Sequence, residues 1–448
     1  MSARPIPRGI QRSVLLVVLG AAMLATTAIG MRAAPTLAAR TPLMGAGELA
    51  GPVPVLGGGG FGTVASLSVA PGNWAFFAKG VLRNTTGSPT ARPVRCRLAF
   101  GSGRDLVLAS PASRDRGGSR QVFLLTHAAH IDTAATAILS CGAPGSRTGD
   151  IVVENVRMVA FKSAALGRRK GTLETTTGNA DAMSQVRLLV GGDALVSGEI
   201  RTVASLPLPA GRWAITAKAS LDQPTPRDQG TVRCAVGIGT DYGVTVGSVR
   251  GQGQPGDRTP IALEMVHSDD ASFEARLDCQ DLSDGGTTHI RDIRLVAYRA
   301  RAVANQELDP SATYSDFPAW MKPVVFAGYD RNLREVPADT GYATINQMSL
   351  PGASWVVVAA GIIEHGAAQR RDVSCRVGRG SDHDDIDLGL GPAGTSSASQ
   401  PFAITWAGSF SGQRAVRLQC SANGSDVRIY YLTMTAYKAG TLVEAPLE

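Results

Sequence analysis

Six cysteines constrain this chain more than any other feature. They stand at 96, 141, 234, 279, 375 and 420, so the interval within each successive pair is 45 residues in all three cases. A spacing that recurs in this way is the mark of internal duplication. Two further markers repeat with it. Ahead of each early Cys runs Ser66-Leu67-Ser68-Val69-Ala70-Pro71-Gly72-Asn73-Trp74, then Ser205-Leu206-Pro207-Leu208-Pro209-Ala210-Gly211-Arg212-Trp213, then Ser349-Leu350-Pro351-Gly352-Ala353-Ser354-Trp355. Behind each late Cys comes an aromatic-ending run, closing on Phe161, Tyr298 and Tyr437. Lengths drift only between markers, as loops allow.

A weaker marker opens each copy: Pro52-Val53-Pro54-Val55-Leu56, Gln185-Val186-Arg187-Leu188-Leu189-Val190 and Pro323-Val324-Val325-Phe326. The units are therefore drawn at 47–165, 183–303 and 320–446. The connectors around Arg168-Arg169-Lys170 and Leu308-Asp309-Pro310 are polar and read as linkers.

Within the units the apolar pattern has period 2. Trp213, Ile215, Ala217 and Ala219 share one face, and Thr216, Lys218 and Ser220 the other, which predicts a half-buried strand. The cysteine segments alternate in the same way, and turn residues punctuate the chain every 8–12 residues or so. No stretch carries a helical period with caps. Each unit is expected to be an antiparallel β-sandwich of seven to nine strands, so the fold class is all-β, with three tandem jelly-roll-like domains behind an N-terminal signal segment. Cysteines in the middle of inward-facing strands predict three disulfides: Cys96–Cys141, Cys234–Cys279 and Cys375–Cys420.

The order Trp, Cys, Cys departs from the immunoglobulin pattern, in which the Trp lies between the cysteines. A Pro-Gly turn leading into an aromatic-headed strand (Pro71-Gly72-Asn73-Trp74), with a last strand ending the unit, resembles the C1q/tumour-necrosis-factor jelly rolls. The layout is also similar to tandem β-domains of exported actinobacterial proteins. The first resemblance implies a jelly roll. Because jelly rolls of that type form trimers, it also implies that three units in one chain could close into an intramolecular pseudo-trimer. It assigns no residue a role.

Residues 1–39 read as a secretory signal. Arg4, Arg8 and Arg12 precede the apolar run from Val14 to Ile29, and small residues follow at Thr36-Leu37-Ala38. An uncleaved single-span anchor is the alternative, and either places the units outside the cytoplasm, secreted or in the cell envelope. The formal charge is +7, and removal of the four arginines of the leader leaves 7 − 4 = +3. That is too scattered for nucleic acid. Contact with a membrane would come only through the uncleaved segment.

The residue types that could carry chemistry stand where a scaffold needs them. Gly57-Gly58-Gly59-Gly60-Phe61-Gly62 fits G-x-G-x-x-G, but Thr63-Val64-Ala65-Ser66-Leu67 continues it as a strand, where a dinucleotide site needs a helix. Ser381-Asp382-His383-Asp384-Asp385-Ile386-Asp387 gathers acid on an expected loop, read as solvated rather than as a Ca²⁺ site. His127 and His267 fall at corresponding places, 14 and 12 residues before the late Cys, and read as structural. Trp74, Trp213 and Trp355 read as core rather than as a sugar platform. No catalytic residue, cofactor-binding residue or metal ligand is assigned, and no cofactor is expected. The function expected is a non-catalytic binding or structural protein with a protein or glycan partner. The alternatives are a carbohydrate-binding protein and a hydrolase whose site lies on the Asp382–Asp387 loop.

Overall fold

The alternating segments become strands, and no helix occurs among the described residues. The computed structural model describes residues 43–444 apart from 50, 88–91, 101–102, 113–118, 164–165, 170–182, 191–193, 224–229, 239–240, 250–257, 284–286, 301–302, 308–324, 331–332, 339–340, 392–397 and 440. The leader-like segment 1–39, Lys170 and the Leu308-Asp309-Pro310 connector lie outside the described residues.

Unit 1 is built on Leu43–Leu49, Gly62–Val69, Gly72–Asn84, Val94–Phe100, Gly103–Ala109, Arg120–Ile131, Ala135–Ala143 and Ile151–Ser163. Taken in chain order, the first, eighth, third and sixth strands form one sheet, and the second, seventh, fourth and fifth form the other. Units 2 and 3 repeat that order. Two four-stranded antiparallel sheets connected in this way make a jelly roll. Each unit buries its own apolar core between its two sheets.

The repeated sequence markers have local causes. The turn before the Trp strand needs left-handed backbone at Gly72 (φ 143°) and Gly211 (φ 142°), which a side chain would strain. Each indole then caps the turn it follows: Trp74 Nε1 donates to the Ala70 carbonyl (2.7 Å), Trp213 to Pro209 (3.0 Å) and Trp355 to Pro351 (2.9 Å). The paired cysteines sit directly opposite one another on the fourth and seventh strands, Cys96 on Cys141, Cys234 on Cys279 and Cys375 on Cys420, all disulfide-bonded. Closing a 45-residue loop in this way is worth roughly 4 kcal/mol in the chain-entropy picture.

The eighth strand of every unit carries a bulge at one equivalent residue: Asn155 (φ 50°), Asp292 (φ 51°) and Tyr431 (φ 51°). Asn and Asp tolerate this left-handed backbone, whereas a bulky aromatic residue is strained there. Tyr431→Asn is therefore expected to raise stability by about 1 kcal/mol, read as a shift in the denaturation midpoint. An unchanged or lowered midpoint would show that the Tyr431 ring, 5.2 Å from that of Tyr430, contributes more than the strain costs.

After its eighth strand, each unit extends a short strand that pairs in parallel with the first strand of another unit. Leu166–Arg169 runs beside Met183–Val190, Val303–Glu307 beside Val325–Asp330, and Thr441–Glu444 beside Leu43–Leu49. The connector at Arg168-Arg169, expected to be a linker, is thus part of a sheet. The first strand of unit 1 begins at Leu43, ahead of the boundary drawn at 47. Three such exchanges cover an otherwise open sheet edge in each unit, and the third joins the last described strand to the first.

The sheets that contain the Trp strands face one another around a core shared by all three units. At its centre the repeated aromatics meet: Phe161 lies 6.1 Å from Tyr298 and 5.8 Å from Tyr437, and the two tyrosines lie 5.5 Å apart, ring centre to ring centre. Phe77 packs on all three. This corrects the half-buried expectation for the Trp strand. Thr216, Lys218 and Ser220 do lie on the face opposite Trp213, but that face is buried against neighbouring units.

Candidate functional site

The residues singled out in the sequence lie in several separate places. Gly62–Val69 follows the glycine run as a strand, so the dinucleotide reading has no helix to rest on. Trp74, Trp213 and Trp355 are buried in the unit cores. His127 and His267 are not equivalent: His127 is registered against Phe76, two residues beyond Trp74, whereas His267 is registered against Trp213 itself. Trp406 takes the place of His127 in unit 3, its indole donating to Asp382 (3.1 Å). The acidic run is a strand, Asp382–Leu390, and not a loop. Asp384 is buried, and Asp387 accepts a hydrogen bond from Ser374 (2.5 Å). The described residues hold no group of three or more His, Cys, Asp and Glu able to bind a metal ion.

Asp384 belongs to a set of inter-unit contacts that sequence reasoning missed. Lys79 of unit 1 meets Asp384 of unit 3 at 2.8 Å, and Lys218 of unit 2 meets Asp105 of unit 1 at 2.7 Å, all at 0–1% exposure. Lys79 and Lys218 each stand five residues after the Trp of their unit, and the two aspartates hold equivalent register positions. Arg294 adds a second cation to Asp105 (3.0 Å), while the backbone amides of Leu106 and Thr126 also donate to it. Arg157, the counterpart of Arg294, donates to the Thr405 carbonyl in unit 3 (3.4 Å). Burial pulls the Lys218 ammonium below its usual range against the opposing pull of Asp105. Burial likewise pushes the Asp384 carboxyl up, against Lys79 and Arg157.

The interface between units 2 and 3 is built differently. Ala360 replaces the Lys, Thr433 the Arg and Gly243 the Asp. A Cβ at Gly243 would lie 2.2 Å from the Glu264 carbonyl oxygen, so no Asp fits there. Glu264 itself is buried at this interface and accepts from Thr216 Oγ1 (3.1 Å), with Thr435 and Tyr437 of unit 3 beside it. Burial pushes its carboxyl up to about 8.

The outward face of the second sheet differs among units in a way that opens a site. In unit 1 the Arg97 guanidinium lies over the Phe61 ring at 4.2 Å, and in unit 3 Arg376 lies over Tyr342 at 4.0 Å. Each Arg immediately follows an early Cys. Each ring immediately precedes the residue registered against the late Cys. Unit 2 has Ala235 and Ile200 at these two positions. With neither a guanidinium nor a ring to fill it, that face is a groove of about 620 Å³. Ala235 and Gly237 line its floor, while Tyr242, Arg233, Asp278 and Glu274 bring polar groups to it. Ile200 stands 72% exposed at its edge. The groove is a cleft of small-ligand size with one aromatic ring and charges of both signs.

No family model matches the chain, and no curated protein does. Among solved structures, the N-terminal CBM22-1–CBM22-2 tandem domain of Paenibacillus barcinonensis Xyn10C aligns at 10% identity over 56% of this chain and 93% of its own, with a TM-score of 0.17. The STIV MCP aligns at 10% identity over 58% and 97%, with a TM-score of 0.20. The infectious bursal disease virus VP2 subviral particle aligns at 7% identity over 88% and 84%, with a TM-score of 0.19. At such scores the jelly-roll assignment rests on the strand order of this chain, and three disulfides place that fold in an oxidising environment.

Proposed function

We propose that the chain is a non-catalytic exported binding protein, in which three jelly rolls close into a pseudo-trimer that holds the groove of unit 2 at its surface. The observation that carries this reading is the asymmetry of the outward sheets: the same place is filled by the protein's own side chains in units 1 and 3 and left open in unit 2. The buried acids and lysines support it, since Asp105, Asp384, Lys79 and Lys218 are spent on holding units together. The signal-like leader and the disulfides favour a secreted or envelope location.

The test is a parallel screen of a glycan array and a peptide display library against the intact protein and an Ile200→Tyr/Ala235→Arg variant. The double substitution rebuilds the plug of units 1 and 3, and an unchanged melting temperature shows that it folds. The expected result is a ligand class retained by the wild type and lost by the plugged variant. Identical profiles for the two proteins would remove the groove as the site. A cell-wall or plant oligosaccharide as the lost class would favour the carbohydrate-binding alternative.

A further inference from the structure

The two filled copies show what the open one lacks. In unit 1 the Arg97 guanidinium, stacked on Phe61, also donates from Nε to Ser140 Oγ at 2.9 Å. In unit 3 the Arg376 guanidinium, stacked on Tyr342, donates from Nε to Gln419 Oε1 at 3.0 Å. Ser140 and Gln419 each immediately precede the late Cys of their unit. The residue at that position in unit 2 is Asp278, registered directly across from Ala235. Unit 2 has therefore lost the guanidinium and converted its neutral acceptor into a carboxylate. Resting on the reading of this groove as a ligand site, we propose that it binds the guanidinium of an arginine side chain presented by a partner peptide.

The chemistry of the groove suits that ligand. A carboxylate accepts two parallel N–H donors from a guanidinium, a stronger and more directional contact than a hydroxyl or amide oxygen provides. Thr202 Oγ1 donates to Asp278 Oδ1 at 2.6 Å, which fixes the orientation of the carboxylate in advance. Tyr242 lines the same groove and brings an aromatic ring to it, where unit 2 has Ile200 in place of the ring of the filled copies. Arg276 on this face is engaged by Glu274 (3.3 Å). Arg233 remains as a second cation, but unit 1 carries Arg95 at the equivalent place beside Arg97, so two guanidinium groups share this face in the filled copy. A lysine ammonium would meet the charge of Asp278 but not the fork of two parallel donors.

The experiment is calorimetric titration of the intact protein with three blocked tripeptides, acetyl-Gly-Arg-Gly-amide and its citrulline and lysine counterparts, and with a xylo-oligosaccharide. The citrulline peptide keeps the size and planarity of the side chain and removes its charge. The expected result is binding of the arginine peptide at least ~10-fold tighter than the citrulline peptide, a loss of about the same factor on Asp278→Asn, and no binding to the Ile200→Tyr/Ala235→Arg variant. Equal affinity for the arginine and citrulline peptides, an affinity unmoved by either variant, or no heat from the arginine peptide at ~10 mM would overturn the assignment. If the oligosaccharide binds and is lost on plugging while the arginine peptide does not bind, this inference falls and the groove stands as a ligand site. If plugging alters the binding of no ligand class in the display and array screens, the reading of the groove falls as well.

Discussion

Asp105→Ala is expected to lower stability by about 4 kcal/mol, because it leaves Lys218 buried without its partner. Removing one member of a buried pair costs far more than replacing both. Arg294, at 11% side-chain exposure, can turn toward solvent, but Lys218 at 0% cannot. The double variant Asp105→Leu/Lys218→Met, similar in volume and without charge, is expected to recover the part of the loss that comes from the unpaired ammonium, but not the part that comes from the orphaned Leu106 and Thr126 amides. Urea denaturation of the three proteins measures both effects. A midpoint for Asp105→Ala within about 0.5 kcal/mol of wild type would show that this pair does not hold units 1 and 2 together. The interface between units 2 and 3 already shows the uncharged solution, with Ala360 and Gly243 in these places.

The second large effect is on pH. The Glu264 carboxyl has its native pKa pushed to about 8 by burial, against an ordinary value of 4.5. Between those two values the native protein holds a proton that the unfolded chain has released. The stability this group contributes is therefore complete below pH 4.5, declines as pH rises, and is gone above about 8. At one pKa unit per about 1.4 kcal/mol, the loss at pH 7 is of the order of 3 kcal/mol. Glu264→Gln keeps the shape and an acceptor for Thr216 and has nothing to ionise. It is expected to flatten the decline and to stabilise the protein by about that amount at pH 7 and by little at pH 4. Denaturation midpoints for both proteins at pH 4, 5, 6, 7 and 8 decide it, because groups common to both cancel in the difference. Parallel curves would mean that Glu264 titrates in the folded protein as it does in the unfolded chain.

Much of the architecture was legible because each unit repeats the features that make a sandwich. The cysteine interval, the Trp turn and the period-2 alternation are intra-unit requirements, and all three copies must meet them. The contacts between units were hidden for a physical reason. On a single strand, Thr216, Lys218 and Ser220 look like a water-facing edge, because a buried lysine is identified only by the aspartate that meets it. That partner, Asp105, lies 113 positions earlier and in another copy. The acidic run misled in a similar way. Its alternation, with Asp384 inward and Asp385 less buried, is that of a strand, but four acids in six residues resemble a solvated loop. The groove of unit 2 is defined by substitutions to smaller or aliphatic residues, Ala235 and Ile200. In the sequence alone these carry no chemistry, and they acquire meaning only beside Arg97–Phe61 and Arg376–Tyr342.

The pairing of Thr441–Glu444 with Leu43–Leu49 has a mechanical consequence. These neighbours run in the same direction, Leu43 beside Thr441 and Ala46 beside Glu444. The chain enters the pairing at one end and leaves it at the other. Tension applied along the polypeptide would load these backbone hydrogen bonds together, sliding one strand past the other rather than peeling them apart one by one. A body closed in this manner resists being pulled open through the two strands that close it.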